Sequence, residues 1–220
     1  MSLPPQRARI LAGPLGVAAV LGLLLLSACG LSRPYPAIRS FSLEPPAPDS
    51  APAAAKNRRP LLVQVSPGGA APQYETAKLI YRIGPNEFRG DFYNELVGLP
   101  ARLVADRLAA FLDRRSPLVQ ASQGIGARAP DLSLDVFLLA FHGDYTQSPP
   151  LAVVEAKISL TDLRRGRSKG LFSKTYSGQA VLPADPPDRP ADQARGLAEA
   201  LAPILSEALA DLERSLRGQP

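Results

Sequence analysis

Residues 151–160, LAVVEAKISL, alternate apolar and polar side chains along one strand. A period of two over this length indicates a β-strand that buries one face and leaves the other in water. The apolar face carries Val154, Ala156, Ile158 and Leu160, and the polar face carries Glu155, Lys157 and Ser159. Sheets that are wet on one face are characteristically antiparallel. The stretch therefore predicts an antiparallel sheet with its core on one side.

Five further strands are predicted around this one. Two flank it, at residues 132–142 and 171–177, across turn-rich segments that contain Gly143-Asp144 and Arg165-Gly166. Three lie earlier in the chain, at residues 38–43, 61–65 and 78–83. The second of these three is expected to end at the turn residues of segment 66–69, SPGG.

Two segments carry leucines at helical spacing. The first starts at Leu99, tolerates Pro100 in its first turn and ends at Ser116-Pro117. Its apolar stripe consists of Leu99, Leu103, Leu108, Phe111 and Leu112. The second starts near Asp188, a suitable N-cap, and Pro203 inside it is expected to kink or break the helix. Its stripe consists of Leu197, Leu201, Ile204, Leu205, Leu209, Leu212 and Leu216.

This order of elements favours an α+β fold over a doubly wound α/β fold. Strands precede the first helix, several strands follow it, and the second helix closes the chain. The predicted architecture is a mixed, largely antiparallel sheet packed by two amphipathic helices. The leucine stripes are interpreted as core that covers the sheet, with a partner-binding groove helix as the alternative.

The N-terminus has the layout of a secretory signal. Arg7 and Arg9 precede an apolar stretch at residues 10–26, and small residues lead into Cys29, the only cysteine of the 220 residues. The stretch is interrupted by glycine and proline and is shorter than the ~20 residues that comfortably span a bilayer. An uncleaved membrane helix with a buried free cysteine is the alternative interpretation.

The segment 26–29, LSAC, resembles the lipobox of bacterial lipoproteins. The resemblance implies a diacylglycerol on the Cys29 thiol and cleavage before it, so that residues 1–28 are a lipoprotein signal peptide. An Asp after the cysteine commonly marks inner-membrane retention in such proteins, and Gly30 and Leu31 stand here instead. This resembles an outer-membrane address on the periplasmic face.

The mature chain then divides into two predicted parts. Residues 29–37 form a lipid-anchored tether, and residues 38–220 form a single periplasmic domain with a Pro/Ala-rich loop at 44–60. Two or three acyl chains on one residue anchor a protein stably, since each buried methylene contributes about 0.8 kcal/mol. The domain is therefore expected to stay attached to its membrane.

Charge argues against a nucleic-acid partner. The net charge is +5, and the signal peptide supplies two of these charges through Arg7 and Arg9, which leaves about +3 for the mature chain. The densest basic run, at residues 164–169, contains glycine and is interpreted as a solvated hairpin tip, with an anionic-lipid or partner contact as the alternative. No basic surface interleaved with aromatic residues is visible.

The sequence contains few candidate catalytic or metal-binding residues. His142 is the only histidine, and no Gly-x-Ser-x-Gly segment supplies a nucleophile for it. The usual zinc sites need several Cys or His ligands, so no metal and no cofactor is expected. Gly124-Ile125-Gly126 lacks the lysine of a phosphate-binding loop and is interpreted as a turn. An enzyme is therefore not expected.

Several segments together resemble one known family. They are the lipobox, Pro34-Tyr35, and residues 41–43 (FSL), 63–67 (VQVSP), 74–82 (YETAKLIYR), 92–93 (FY) and 99–100 (LP). This order resembles the PqiC-like, ABC-type transport auxiliary lipoproteins. The resemblance implies a non-enzymatic auxiliary component of an intermembrane lipid transport system. It also implies two partners: an inner-membrane ABC permease with its ATPase, and a periplasmic protein with mammalian-cell-entry (MCE) domains that form a conduit. A homo-oligomer is compatible with the family, although no heptad or self-complementary pattern demands one.

The docking surface is expected in segment 81–93. Its residues Phe88, Arg89, Phe92 and Tyr93 combine the aromatic and arginine character enriched at interface centres. Burial in the core is the alternative for the same residues. A structural or assembly lipoprotein of another envelope complex is the alternative function.

Overall fold

The computed structural model describes residues 36–45, 59–122, 128–164 and 168–217. Contacts divide the chain into two compact units, residues 1–37 and residues 38–220, and every element named below belongs to the second. The predicted signal peptide, Cys29 and most of the tether lie outside the described residues, as do positions 46–58 of the Pro/Ala-rich loop. Gly124-Ile125-Gly126 and residues 165–167 of the basic run lie outside them too.

Eight strands and two α-helices make up the described part of the second unit. The strands are β1 Arg39–Phe41, β2 Leu61–Ala70, β3 Lys78–Gly84, β4 Glu87–Leu96, β5 Val119–Ser122, β6 Leu132–Asp144, β7 Leu151–Asp162 and β8 Lys169–Val181. The helices are α1 Pro100–Arg115 and α2 Arg189–Arg217, and a short 3₁₀ turn occupies Pro72–Tyr74.

Strand β6 organises the sheet because both of its edges are used. β7 pairs with it antiparallel from Leu132 to Asp144 along one edge. The other edge is shared, since β2 pairs parallel with its first half and β3 pairs parallel with Gly143 and Asp144 only. Beyond these, β8 lies on β7, β5 on β2, β4 on β3 and β1 on β4. The longest ladders are antiparallel and the shorter ones mostly parallel, which confirms the predicted α+β fold with a mixed, largely antiparallel sheet.

The alternation of apolar and polar residues in β7 places the apolar side chains on one face of the sheet, where they form the core. Val154, Ala156, Ile158 and Leu160 of β7 are fully buried, as are the inward residues Leu132, Val136 and Leu138 of β6. The two helices cover this face of the sheet with one hydrophobic cluster, to which α1 contributes Val104, Leu108 and Leu112 and α2 contributes Leu197, Leu201 and Leu212. No helix among the described residues has both the length and the apolar content needed to cross a lipid bilayer.

The boundaries of α1 agree with the prediction. Pro100 occupies the first turn, where its missing N–H is not needed, and the Ser116 N–H donates to the Leu112 carbonyl at the helix end. Leu99 departs from the predicted stripe, because it precedes the helix and its side chain is 53% exposed.

Helix α2 begins as predicted but does not break. The Asp188 carboxylate accepts a hydrogen bond from the Ala191 N–H at 3.3 Å. The sequence predicts a kink or a break at Pro203, and the break is wrong, since the helix continues from Arg189 to Arg217. Pro203 lies on the exposed side, while Leu201 and Ile204 on either side of it are buried in the core. Packing of the apolar face compensates for the hydrogen bond that the proline removes.

Three strand predictions need correction. β2 does not end at Ser66-Pro67 but continues to Ala70 through a bulge between Pro67 and Gly69, where Gly69 supplies a φ of +105°. Gly143 and Asp144, predicted as a turn, are the last residues of β6. Strands β4 and β5 were not predicted, because β4 is mostly polar and exposed and β5 has only four residues.

Gly178 in β8 allows α2 to lie directly on the sheet. A Cβ built at Gly178 would stand 1.9 Å from the Ala200 carbonyl oxygen, in the turn of α2 just before Pro203. This approach is too close for any side chain, so the glycine sets the distance between helix and sheet at this point. Gly170, in the same strand, has nothing within 4 Å of the equivalent position.

We therefore predict that Gly178→Ala lowers the free energy of unfolding by roughly 1–3 kcal/mol, since the helix has to move away from a well-packed sheet. Gly170→Ala is the matched control in the same strand and is expected to change it by less than about 0.5 kcal/mol. Urea denaturation followed by circular dichroism measures both. Equal effects of the two substitutions would contradict this role of Gly178.

Candidate functional site

The hairpin of β3 and β4 contains a large bulge. In its ladder Ile80 pairs with Gly90 and Lys78 pairs with Glu95, so that the single residue Leu79 faces the four residues 91–94. The extra residues cannot join the ladder and are displaced from it. Residues 91–94, DFYN, are called the Asp91 projection below.

The carboxylate of Asp91 holds the projection in shape. Its Oδ1 accepts hydrogen bonds from the Tyr93 N–H at 2.9 Å, the Asn94 N–H at 3.0 Å and the Asn94 Nδ2 at 3.0 Å. Its Oδ2 accepts one from the Tyr81 hydroxyl at 2.7 Å, which ties the projection back to β3. Asp91 thereby satisfies backbone donors that the sheet leaves unpaired.

The electrostatics of this group favour the ionised carboxylate. Partial burial alone would raise the pKa of Asp91, but the hydrogen bonds from Tyr81, Tyr93 and Asn94 outweigh it and the pKa lies below its usual range. The pKa of the Tyr81 hydroxyl is raised by burial and by donation to Asp91. Tyr81 therefore remains a protonated donor at every physiological pH.

Phe92 stands out at the tip of the projection. Its side chain is 70% exposed, although it is one of the largest apolar groups of the protein. Its ring contacts Tyr93 edge-on, with the centroids 4.9 Å apart, and the Lys78 Nζ lies 5.7 Å from the ring centroid. A large exposed aromatic ring on a braced segment loses little conformational entropy when it is buried by a partner.

The structure does not bring the four predicted docking residues together on one surface. Phe92 and Tyr93 are in contact, whereas Phe88 and Arg89 are consecutive in an extended strand and point to opposite faces. The Phe88 ring contacts Tyr74 and His142 edge-on. Arg89 is 71% exposed and lies 3.6 Å from the Glu87 carboxylate. Phe88 thus contacts the body of the domain although its side chain is partly exposed, Tyr93 is half-buried, and Phe92 and Arg89 are exposed.

A buried polar cluster lies beneath the hairpin. Tyr74 and His142 share a hydrogen bond of 2.8 Å between hydroxyl and Nδ1, and their rings stack. Beside them Arg82 pairs with the largely buried Asp144 at 3.1 Å. Because β3 pairs with only two residues of β6, the Arg82–Asp144 pair adds to a short ladder, alongside the burial of Leu79 and Leu96 in the core.

Gln193 of α2 is the deepest member of this cluster. It is fully buried and donates from Nε2 to the Ile80 carbonyl at 2.9 Å, while its Oε1 accepts from the Tyr145 hydroxyl at 3.3 Å. Gly143 makes this possible, since a Cβ there would stand 2.5 Å from the Gln193 Oε1. The start of α2 is thereby fixed to β3, the strand that pairs with β4 and its projection.

His142 is a structural residue in this arrangement. Burial lowers its pKa, Asp144 nearby acts in the opposite direction, and the pKa remains below its ordinary value. The neutral imidazole can accept from the Tyr74 hydroxyl, and the Phe88 ring closes the other side. Within the described ranges, no three His, Cys, Asp or Glu side chains group as ligands of a metal ion would.

The sequence indicates segment 81–93 as the docking surface but not the side-chain contacts that fix its conformation. Asp91, Tyr81 and Gln193 were not singled out, because their role depends on contacts between β3, β4 and α2. The local signal was an Asp followed three residues later by Asn, a pattern typical of a side-chain-capped turn.

Comparison with known proteins gives a family and a fold. The model of the family described as "ABC-type transport auxiliary lipoprotein component" matches residues 41–214. No curated protein matches the chain. Among solved structures, protein XCC0632 from Xanthomonas campestris, assigned to the DUF330 family model, is 19% identical; the alignment covers 83% of this chain and 94% of that one, with a TM-score of 0.60. The structure of an uncharacterised protein is 15% identical to this chain. The alignment covers 80% of this chain and 99% of that one, with a TM-score of 0.58. At these identities the likeness shows the fold alone.

We predict that the protein loses stability as the pH falls from 7 to 5, because of His142. The unfolded chain binds a proton near pH 6.5, and the folded protein resists protonation until a lower pH, so acidification favours unfolding. His142→Gln is expected to flatten this dependence, since the protein has no other histidine. Thermal unfolding at several pH values measures it, and parallel pH profiles of the two proteins would contradict the assignment.

We also predict that Asp91→Ala loosens the projection without unfolding the domain. The amides of Tyr93 and Asn94 lose their acceptor, so their hydrogen exchange, followed by NMR, should accelerate at least about tenfold, which corresponds to ~1.4 kcal/mol. Asp91→Asn keeps one acceptor oxygen and should have a smaller effect. Unchanged exchange in Asp91→Ala would mean that Asp91 does not brace the projection.

Proposed function

Because the chain belongs to the ABC-type transport auxiliary lipoprotein component family, we propose that it docks the periplasmic conduit of an ABC/MCE-type lipid transport system at the outer membrane. Membership makes it an auxiliary lipoprotein of ABC-type transport, and the family is not an enzyme family. The choice of outer membrane, of lipid as cargo and of an MCE-domain partner belongs to the proposal.

The anchor of the proposed function is Cys29. Its lipobox setting supports lipidation, and Gly30 and Leu31 after it favour export to the outer membrane. A lipidated N-terminus keeps the domain at the membrane surface and raises the effective concentration of whatever it binds there. This requires no chemistry in the domain itself, and ATP hydrolysis is left to the cytoplasmic ATPase.

The observation that carries the docking role is the exposed Phe92 on its braced projection. Interface hot spots are enriched in aromatic residues and arginine. Phe92 is in contact with Tyr93, and the exposed Arg89 lies in the same strand. The four hydrogen bonds to Asp91 fix the ring before a partner arrives. Phe88 supports the hairpin from below through Tyr74 and His142.

We predict that Phe92→Ser weakens capture of the MCE-domain protein by at least about tenfold, as expected for loss of a central aromatic contact. The measurement is a mild-detergent pull-down of the full-length protein from its native envelope, with mass spectrometry of the captured proteins. Val181→Ser is the matched control, because Val181 is 65% exposed and lies at the end of β8, across β3, β6 and β7 from β4.

Three further outcomes define the limits of this proposal. Loss of capture in Cys29→Ala would show that anchoring is needed for the assembly. Recovery of other envelope proteins without any MCE-domain protein would reject the conduit and favour a structural or assembly lipoprotein of another complex. Full capture by Phe92→Ser would reject the docking surface while leaving the transport role in place.

A further inference from the structure

Exposed apolar side chains concentrate on one side of the second unit. In the described part of the chain, five large apolar residues are more than half exposed: Ile38, Phe92, Val97, Leu99 and Val181. Four of the five lie at the outer edge of the sheet or in the connection from β4 to α1. Scattered apolar residues are ordinary on a protein surface, but such a concentration calls for an explanation.

Ile38, Val97 and Leu99 form the aliphatic part of this concentration and are called the tether-exit surface. β1 is the edge strand and pairs parallel with β4, Arg39 opposite Asn94 and Phe41 opposite Leu96. Ile38 therefore lies just before this ladder, at the level of Tyr93. Val97 lies at the other end of the ladder, where its N–H donates to the Phe41 carbonyl. Leu99 follows two residues later, just before α1.

The charged groups around this surface are largely engaged with one another. Arg39 forms two hydrogen bonds with the Asp188 carboxylate, at 3.1 and 2.6 Å. Arg102 lies 3.4 Å from Asp106 in the same helix. Two ion pairs thus lie near the three aliphatic side chains, which lowers the cost of bringing the surface against lipid headgroups.

The length of the predicted tether limits what this surface can meet. Cys29 and Ile38 are nine positions apart, and a fully extended chain of that length reaches about 30 Å. A compact unit of about 180 residues is roughly 40 Å across. A lipid on Cys29 therefore keeps the side from which the tether leaves closest to the bilayer.

We propose that the tether-exit surface rests on the bilayer that holds the Cys29 lipid, with Ile38, Val97 and Leu99 inserted at the boundary of headgroups and acyl chains. Aliphatic side chains at this depth add apolar burial to that of the anchor. The inference rests on the lipid anchor of the proposed function and not on its protein partner. Its consequence is orientation: the neighbouring Phe92 ring is held beside the membrane, where the end of a conduit would arrive.

The absence of tryptophan from the sequence allows a clean test. Single tryptophans are introduced as Leu99→Trp, Val97→Trp and, as a control, Val181→Trp. Each full-length lipidated protein is reconstituted in phosphatidylethanolamine and phosphatidylglycerol vesicles, with or without lipids brominated in the acyl chains. Flotation with the vesicles shows that the protein is attached to the membrane, and the mass of the N-terminal peptide shows that Cys29 is lipidated. Neither measurement needs a protein partner.

The expected result is a blue-shifted emission of the tryptophan at 97 and 99, quenched at least about twofold by the brominated lipids, with neither effect at 181. Unquenched, water-like emission at both 97 and 99 would overturn the proposal. A blue shift without bromine quenching would overturn it as well and would indicate a second copy of the chain on this surface. Since the vesicles contain no other protein, these results do not depend on the MCE-domain partner.

Discussion

Both edges of strand β6 are occupied, and the rest of the structure depends on this constraint. β7 takes one edge completely, so β2 and β3 have to share the other. β2 uses the first half, and only Gly143 and Asp144 remain for β3. The β3–β4 hairpin is therefore attached by a very short ladder and needs other contacts. Those contacts are burial of Leu79 and Leu96 in the core, the ion pair of Arg82 with Asp144 and the hydrogen bond of Gln193 to the Ile80 carbonyl. Buried polar groups with partners fix one arrangement, because any other would leave them unsatisfied.

The position of β4 in the sheet explains why this hairpin carries the candidate site. β3 separates β4 from the central strand β6, so β4 can accommodate four extra residues against the single core residue Leu79. A bulge of this size would disrupt a central strand, but here Asp91 replaces the missing ladder by accepting from the backbone of Tyr93 and Asn94. The result is an exposed ring at the edge of a stable domain. The proposed docking role needs such a surface and does not need a pocket.

The parts of the fold that could be predicted from the sequence are those with a clear period. The alternation in β7 and the leucine stripes of α1 and α2 reflect the burial of one face, which is a local property of the chain. β4 could not be predicted because its bulge interrupts the alternation and only Leu96 among its residues is buried. The continuous helix through Pro203 could not be predicted for a related reason. A proline locally disfavours a helix, whereas burial of the flanking Leu201 and Ile204 stabilises it. At the site, Phe92 could be identified by residue type, whereas the roles of Asp91, Phe88 and His142 depend on contacts between distant segments.

The central claim is that the exposed ring of Phe92 meets the conduit protein of the transport system. The most direct measurement replaces Phe92 with a photo-crosslinking amino acid such as p-benzoylphenylalanine in cells that carry the native envelope, and identifies the crosslinked protein by mass spectrometry. The account predicts one dominant product with an MCE-domain protein, and none when the same amino acid stands at position 181. Crosslinking at 92 to a different envelope protein, or to no protein under conditions where the lipoprotein is anchored and folded, would contradict it.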